Sequence, residues 1–255
     1  MQNFEDYFSR NAGVYARRRP RYPAELFAYL ASISPGRDLA WDCATGNGQA
    51  ALALAQFFDR VVATDASVQQ LAHAFPHARV VYRQSVAEQT ALGPGSADLV
   101  TVAVAVHWFD LDRFYEEVRR VLKPGGVLAV WTYYAPVTTP ELDGLLERLN
   151  LEILGDYWPE QIHFLREGYR TLPFPFEEIV PPPFEIEAEW DLRQLVGFIT
   201  SWSASRNYLE RHGSHAVEKM WPELKKAWGP PGTRRPIRWP LYLRVGRTPR
   251  PGTSG

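Results

Sequence analysis

Apolar positions in the first half of the chain switch repeatedly between two spacings. Stretches with hydrophobic residues three and four apart are followed by short continuous apolar runs, the alternation expected of helices and buried parallel strands. After Pro23, which suits a first helical position, Leu26, Phe27, Leu30 and Ile33 fall on one helical face, and Pro35 with Gly36 stops that helix. Strands are predicted at 39–43, at 60–65 ending on an acid, at 79–83, at 97–106 and at 127–132. Between them a helix is predicted over 48–58, Ser67 is placed as an N-cap, and Asp110 caps a helix whose inner face carries Leu111, Phe114, Val118 and Leu122. Lys123-Pro124-Gly125-Gly126 breaks that helix before the fifth strand.

The texture changes after Tyr133. Residues 140–171 read as helical and amphipathic through Leu142, Leu145, Leu146 and Leu149, and 173–183 is proline-rich. A strand at 184–190, a helix capped by Asp191 running to Trp202, a helix over 214–228 and a last strand at 237–245 follow. Pro240 inside that last strand argues for an irregular or edge position. The organisation expected is a core with an N-terminal arm over 1–134, a helical cap insertion over 135–183, a segment over 184–247 that completes the sheet and adds lid helices, and a disordered tail over 248–255.

Composition narrows the class. With 255 residues, 45% hydrophobic and 22% charged, the chain suits one enlarged α/β domain or a core with a modest second lobe. Lys and Arg number 28 against 29 Asp and Glu, a net charge of -1 that gives no electrostatic case for nucleic acid. The cluster Arg17, Arg18, Arg19 and Arg21 is a local exception that reads as a solvated face or as a phosphate contact. One cysteine, Cys43, cannot form an internal disulfide, and neither a secretory signal nor a membrane-length apolar run is visible, so a cytoplasmic protein is expected, monomeric or weakly dimeric. Eight of nine tryptophans come at or after Trp108, suited to packing and, for a few, to an aromatic pocket.

Candidate chemistry concentrates where the first strand ends: Trp41-Asp42-Cys43-Ala44-Thr45-Gly46-Asn47-Gly48-Gln49. Gly46 and Gly48 let the backbone turn tightly and approach a ligand. Asp65, at the end of the next strand, can accept hydrogen bonds from both hydroxyls of an adenosine ribose. Gly46 to Ala51 also satisfies the dinucleotide pattern ending in alanine, which keeps a nicotinamide ligand open. Against it stands Asp42, an acid in an apolar strand. Its carboxylate needs partners such as a ligand ammonium or the turn amides, and it would repel a pyrophosphate; pinning the turn is its structural alternative.

Taken together, Asp42-x-x-x-Gly46-x-Gly48-Gln49, Asp65, Ala87-Glu88, the run from Asp98 to Val106 followed by His107-Trp108-Phe109-Asp110, and Leu122-Lys123-Pro124-Gly125-Gly126 resemble the class I methyltransferases of the type 11 group. Tyr15-x-x-x-Arg19-Pro20-x-Tyr22-Pro23 and Ser201-Trp202-Ser203-Ala204 narrow the resemblance to the branch of trans-aconitate methyltransferase-like proteins. The resemblance implies a Rossmann-like α/β fold: a seven-stranded, mostly parallel sheet with helices on both faces, its last strand antiparallel, plus the helical lid insertion. It implies S-adenosylmethionine as cofactor. Asp42, Gly46 and Gly48 would border its methionine part, Asp65 and Ala66 its ribose, and Val86 and Ala87 its adenine, with Cys43, Ala44, Thr45, Asn47, Gln49, Ser85 and Glu88 also in the cofactor site. Ala103, Val104 and Ala105 would lie beneath the sulfonium, and Tyr15 and Arg19 would fold over the methionine carboxylate.

The acceptor is expected to be a small molecule, with a small carboxylic acid as first guess and no metal. His107, Trp108, Trp131, Tyr133 and Tyr134, at the ends of the fourth and fifth strands, would shape its pocket, with Trp202 and Arg206 as contacts from the lid. His107 is the candidate general base, or a rim hydrogen-bonder. Two other functions compete: a nicotinamide-dependent oxidoreductase, for which no Tyr-x-x-x-Lys or Cys/His pair is found, and a non-catalytic protein that binds S-adenosylmethionine.

Overall fold

The computed structural model describes residues 20–230 and 232–249. Its helices are α1 Ala24–Ile33, α2 Gln49–Leu54, α3 Val68–Ala72, α4 Leu111–Val121, α5 Pro140–Arg148, α6 His163–Arg166, α7 Leu192–Thr200, α8 Ser203–His212 and α9 Trp221–Trp228. Its strands are β1 Leu39–Cys43, β2 Arg60–Asp65, β3 Val80–Gln84, β4 Ala97–Ala103, β5 Leu122–Thr132, β6 Glu177–Ile179, β7 Phe184–Trp190 and β8 Arg235–Arg247. They form one sheet in the order β3-β2-β1-β4-β5-β8-β6, with β7 also paired to β8.

The first five strands are parallel, each reached by a crossover, and the central ones are apolar on both faces, five-residue β1 for instance having four of its residues buried, while edge strand β3 ends on exposed Arg83 and Gln84. β8 runs antiparallel to β5, pairing Tyr242 with Thr132 through to Arg247 with Val127. The sheet therefore has the expected parallel body and antiparallel last strand, but eight strands instead of seven, since β6 adds a short segment beside β8. Of the irregular or edge position that Pro240 suggested, the edge is not observed. β8 lies between β5 and β6, and Pro240 precedes the paired stretch that begins at Tyr242, so no ladder bond to β5 needs the missing N–H.

Lys123-Pro124-Gly125-Gly126 does not separate helix from strand by a loop. Leu122 already pairs with Ala97 and Val127 with Leu99, so these four residues bulge within β5. Thr248, placed in a disordered tail by composition, is instead buried, its N–H donating to Gly126 O at 3.0 Å and its hydroxyl to Lys123 O at 2.9 Å. That bulge leaves carbonyls without strand partners, and Thr248 supplies the donors.

The chain divides into two compact units. Among the described residues, one comprises 22–134, 163–185 and 240–249, the other 20–21, 135–162, 186–230 and 232–239. This division differs from the expected cap, since His163–Glu185 goes with the sheet. In the sheet unit Phe27, Phe58 and Phe114 are fully buried, each contributing about 2 to 3 kcal/mol. Tyr115 on α4 donates to Pro173 O at 2.6 Å and meets Phe176 edge-on, which fixes the proline-rich stretch against the helix. In the helical unit Leu142, Leu146, Val217, Leu224 and Trp228 are buried, and Trp190, Phe198 and Trp239 form an aromatic cluster with centroids 4.8 to 5.6 Å apart.

Candidate active site

β1 and β4, neighbours in the sheet, send their following segments in opposite directions, the kind of switch point at which open α/β sheets bind ligands. β1 ends in Asp42-Cys43, and the turn beyond holds three residues at positive φ: Ala44 at 53°, Gly46 at 57° and Gly48 at 87°. Gly48 is constrained twice. A Cβ there would collide with the Tyr82 ring, whose Cζ would lie 2.9 Å away, so glycine is needed for the conformation and for the close approach of β3. Ala44 carries the same left-handed conformation without glycine's freedom, a local strain of the kind found at binding sites. A second such residue, Val104 at φ 55°, directly follows β4 and donates its N–H to Trp131 O at 2.8 Å.

Two carboxylates hold this turn. Asp65, at the end of β2, accepts the Gly46 N–H through Oδ2 and the Ser67 N–H through Oδ1, both at 2.8 Å. An ionised carboxylate has about four acceptor sites, so two remain for hydroxyl donors. Asp42 is fully buried and accepts from the Thr45 hydroxyl at 2.5 Å and from the Thr101 hydroxyl at 2.8 Å. Register explains the second bond, since Asp42 pairs directly with Thr101 across β1 and β4. Burial pushes the Asp42 carboxyl up to about 6, opposed by the two hydroxyl bonds and a bond from the Ala51 backbone, with the Asp65 charge raising it further. Asp42 thus pins the turn as its structural alternative required, through hydroxyls more than amides.

The next strand ends complete the rim. Ser85 N–H donates to Asp65 O at 3.1 Å and the Gln84 side-chain amide to Ala66 O at 3.2 Å, so the turn after β3 is tied to the end of β2. Val86 is 50% exposed beside buried Ala87, an apolar surface suited to a flat ring. Glu88 accepts the Asp110 N–H at 3.0 Å and so anchors the start of α4. Cys43 is buried, and its thiol is pushed well up by burial and by Asp42 and Glu88, which makes it unreactive.

At the ends of β4 and β5 the side chains change to aromatic and cationic. His107, in a single helical turn Val106–Trp108, is buried and shares a 2.8 Å hydrogen bond between Nδ1 and the Tyr169 hydroxyl. Burial lowers the imidazole to about 4, so the ring is neutral at pH 7. Trp108 beside it is 55% exposed. Past β5, the Tyr134 hydroxyl accepts from Arg166 Nε at 3.3 Å and Nη2 at 3.1 Å, with the guanidinium 5.5 Å from the ring centroid.

Glycine turn, twin acids and a topological switch point define an α/β enzyme that takes a nucleoside-bearing ligand at its carboxyl edge. A family model described as a methyltransferase domain matches residues 41–130, the span holding all these elements except the last turns. A protein from Anaeromyxobacter dehalogenans, described as a type II methyltransferase, is 44% identical with a TM-score of 0.86, over 91% of this chain and 99% of its own. Among sequence relatives, a Dictyostelium discoideum protein carrying the name methyltransferase is 32% identical over 229 residues, 88% of this chain and 87% of its own. A Mycobacterium tuberculosis methyltransferase is 38% identical over 206 residues, 79% of this chain and 76% of its own. The chain belongs to the class I S-adenosylmethionine-dependent methyltransferases, and S-adenosylmethionine is its cofactor.

Of the residues expected from sequence, those from Asp42 to Gln49, Asp65, Ala66, Ser85 to Glu88, Ala103 to Ala105, His107 and Trp108 all stand on the consecutive ends of β1 to β4. Tyr15 and Arg19 lie outside the described residues. Trp131 was expected on the pocket wall but is fully buried, edge-on to Tyr22 at 5.4 Å and near Phe27 at 6.2 Å, because at its β5 position it serves the core. Trp202 and Arg206 belong to the helical unit, where Trp202 packs against Trp158 and Phe198 and precedes α8. Tyr82, Thr101, Arg166 and Tyr169 were not anticipated. Thr101 had a visible signal, a second polar residue inside an apolar strand predicted beside that of Asp42, whereas Arg166 and Tyr169 fall in a stretch without a recognisable pattern.

Proposed function

We propose that this methyltransferase acts on a small carboxylic acid, received at the ends of β4 and β5, as the resemblance to the trans-aconitate methyltransferase-like branch implies. The observation that carries this reading is Arg166. Its guanidinium is exposed, held on Tyr134 at the carboxyl end of β5, and among the described residues it makes no ion pair with an acid. A guanidinium so placed keeps a two-point fork for a carboxylate.

In the same reading the cofactor supplies, when bound, a methyl group on positively charged sulfur. Asp65 receives the ribose hydroxyls, Ala66 flanks them, Ser85 to Glu88 frame the adenine, and the Asp42 to Gln49 turn with Tyr15 and Arg19 borders the methionine part. Ala103 to Ala105 form the floor, and His107, Trp108, Tyr133 and Tyr134 face the acceptor. Aligning nucleophile and methyl carbon in a water-excluding crevice is worth roughly 7 to 11 kcal/mol in favourable cases, so positioning is the main task of these residues. We place the enzyme in the cytoplasm, as a monomer or weak homodimer without a nucleic-acid partner. Its lone, buried Cys43 and near-zero net charge support that placement.

The test uses tritium-labelled S-adenosylmethionine and a metabolite extract fractionated on anion-exchange resin. Label is expected to enter compounds of the retained, acidic fraction. Label entering only the flow-through overturns the carboxylic-acid acceptor, and calorimetry showing heat with NAD but none with S-adenosylmethionine overturns the assignment of the crevice.

A further inference from the structure

The segment 85–90, which follows β3, is tied down at both of its ends. At its start Ser85 N–H donates to Asp65 O at 3.1 Å, and the Ser85 hydroxyl donates to Gln89 O at 2.5 Å with Val86 O at 3.2 Å. At its end Thr90 N–H donates to Glu117 Oε1 at 2.6 Å, and Arg120, paired with the same carboxylate, donates to Thr90 O at 3.3 Å. These bonds hold the apolar step Val86–Ala87 that the proposed function gives to the adenine. The Glu88 carboxylate takes part in none of them. It leaves its own segment and accepts the N–H of Asp110, 22 positions on, at 3.0 Å.

Asp110 closes the stretch that carries the acceptor-side residues. Trp108 N–H donates to Ala105 O at 3.0 Å and Phe109 N–H to Val106 O at 3.2 Å, which makes the single turn Val106–Trp108. Val106 is fully buried, His107 is buried against the Tyr169 hydroxyl, and the Phe109 ring meets Phe114 edge-on at 4.9 Å, while Trp108 stays 55% exposed. Asp110 then makes two hydrogen bonds of different kind. Its Oδ1 accepts Arg113 N–H at 3.3 Å, which caps its own helix α4. Its N–H goes to Glu88 and joins the segment proposed for the adenine to the turn proposed for the acceptor. A carboxylate on an amide is a charge-assisted bond, stronger than its neutral counterpart.

We infer that Glu88 is a positioning residue for methyl transfer: its carboxylate serves not the adenine but the turn Val106–Trp108, which it holds in place relative to the cofactor segment through Asp110. The inference rests on the proposed placing of cofactor and acceptor on these two segments. It goes beyond that placing, because the side chain then acts on alignment and not on cofactor affinity. In-line displacement is sensitive to alignment, and a shift of about 1 Å from a residue outside the chemistry can cost about a hundredfold in rate. Val86 and Ala87 keep the ties of Ser85 and Thr90 when Glu88 is removed, so cofactor affinity is spared.

Amide exchange followed by NMR tests the tie in the ligand-free protein. The Asp110 amide is expected to be protected in wild type and to exchange about tenfold or more faster in Glu88→Ala; equal exchange in the two overturns the inference. Asp110 stands at φ -71° and Phe109 at ψ 155°, values that a proline and its predecessor accept. Asp110→Pro therefore deletes the N–H, and Asp110→Ala, which loses the same carboxylate but keeps the N–H, is its reference. With S-adenosylmethionine saturating, label transfer into a fixed amount of extract is expected to fall about tenfold from Asp110→Ala to Asp110→Pro, and about tenfold from wild type to Glu88→Ala. Adding Glu88→Ala to Asp110→Pro is expected to cost no more than about twofold further, since both delete one bond. Glu88→Gln keeps an acceptor oxygen and is expected to recover most of the rate, and calorimetric affinity for S-adenosylmethionine is expected to stay within about twofold of wild type in every Glu88 variant. Losses that multiply in the double variant, or an affinity loss of about tenfold with the rate intact, overturn the positioning role. An equal rate in Asp110→Pro and Asp110→Ala also overturns it, and that pair decides if Glu88→Ala fails to fold. Label found only outside the acidic fraction overturns the carboxylic-acid acceptor, while the comparison of total label among the variants still decides the role of Glu88.

Discussion

Replacing Asp42 by Asn should stabilise the ligand-free protein, and the gain should depend on pH in a way that few other substitutions can imitate. Asp42 is fully buried, and its carboxyl stands at about 6 in the folded chain against an ordinary value of 3.8, chiefly because burial disfavours the charge. Below pH 3.8 the carboxyl is protonated in both folded and unfolded chains and contributes no difference. Between 3.8 and about 6 the unfolded chain ionises while the folded chain does not, so stability falls as pH rises. Above 6 the loss is complete. A gap of a little over two pH units at 1.36 kcal/mol per unit comes to about 3 kcal/mol. Asn keeps the volume and still accepts from Thr45 or Thr101, but one hydroxyl must turn to accept from its amide, which offsets about 1 kcal/mol at every pH. Urea unfolding of both proteins from pH 4 to 8 should therefore show Asp42→Asn about 0.5 kcal/mol less stable at pH 4 and about 2 kcal/mol more stable at pH 8, the curves crossing in between. Groups that do not interact with Asp42 cancel in the difference. A gap that does not vary with pH refutes the argument, whatever its size.

Three further outcomes are expected. Gly48→Ala combines a left-handed backbone with a clash against Tyr82 and should cost about 2 to 4 kcal/mol in urea unfolding; adding Tyr82→Ala should restore only the steric part, and a loss under about 1 kcal/mol contradicts the double constraint. Asp65→Asn loses one of two charge-assisted bonds to the Gly46 and Ser67 amides and the charge proposed to receive the ribose hydroxyls, so calorimetry should show at least a tenfold weaker affinity for S-adenosylmethionine, and equal affinity would refute its role. Thr101→Val leaves Asp42 with one hydroxyl fewer and should lower stability at pH 8 by about 1 to 3 kcal/mol, much less at pH 4 where the carboxyl is protonated.

The parallel half of the fold was legible because each strand buried on both faces leaves an unbroken apolar run, and several of its helices begin with a polar cap. Ser67, Asp110 and Asp191 do cap α3, α4 and α7 as expected, each accepting from the amide three residues on. The glycine turn after β1 was legible for the same local reason, since glycines and acids at strand ends announce themselves within a few residues. The acceptor side was not. Trp131 reads in sequence as an aromatic at a strand end, and only the placement of Tyr22 and Phe27 around it makes it core. Helix 140–171 broke into α5, a wide turn over Leu149–Ile153, single turns and α6, because Gly155, Pro159 and Gly168 interrupt what the leucine spacing alone suggested. Pairs such as His107 with Tyr169, 62 positions apart, leave no trace in local spacing.

Under the proposed division of the site, its two halves also differ in how they are held, and that difference follows from what each would bind. On the cofactor side the backbone carries the strain: Ala44, Gly46, Gly48 and Val104 take left-handed conformations, and carboxylates tie the turns from below. Backbone geometry of this kind leaves little room for variation, as suits a ligand with fixed ribose and amino-acid groups. On the acceptor side most of the fixing is by side chains: Tyr169 sets His107, Tyr134 holds Arg166, and Arg244 holds the Tyr169 turn. Side chains can be exchanged singly without rebuilding a strand end. A Tyr134→Phe change should therefore release Arg166 and weaken selection for acidic acceptors, yet leave calorimetric binding of S-adenosylmethionine unaltered. If that one change weakened both, the two halves would be coupled more tightly than their separate supports suggest.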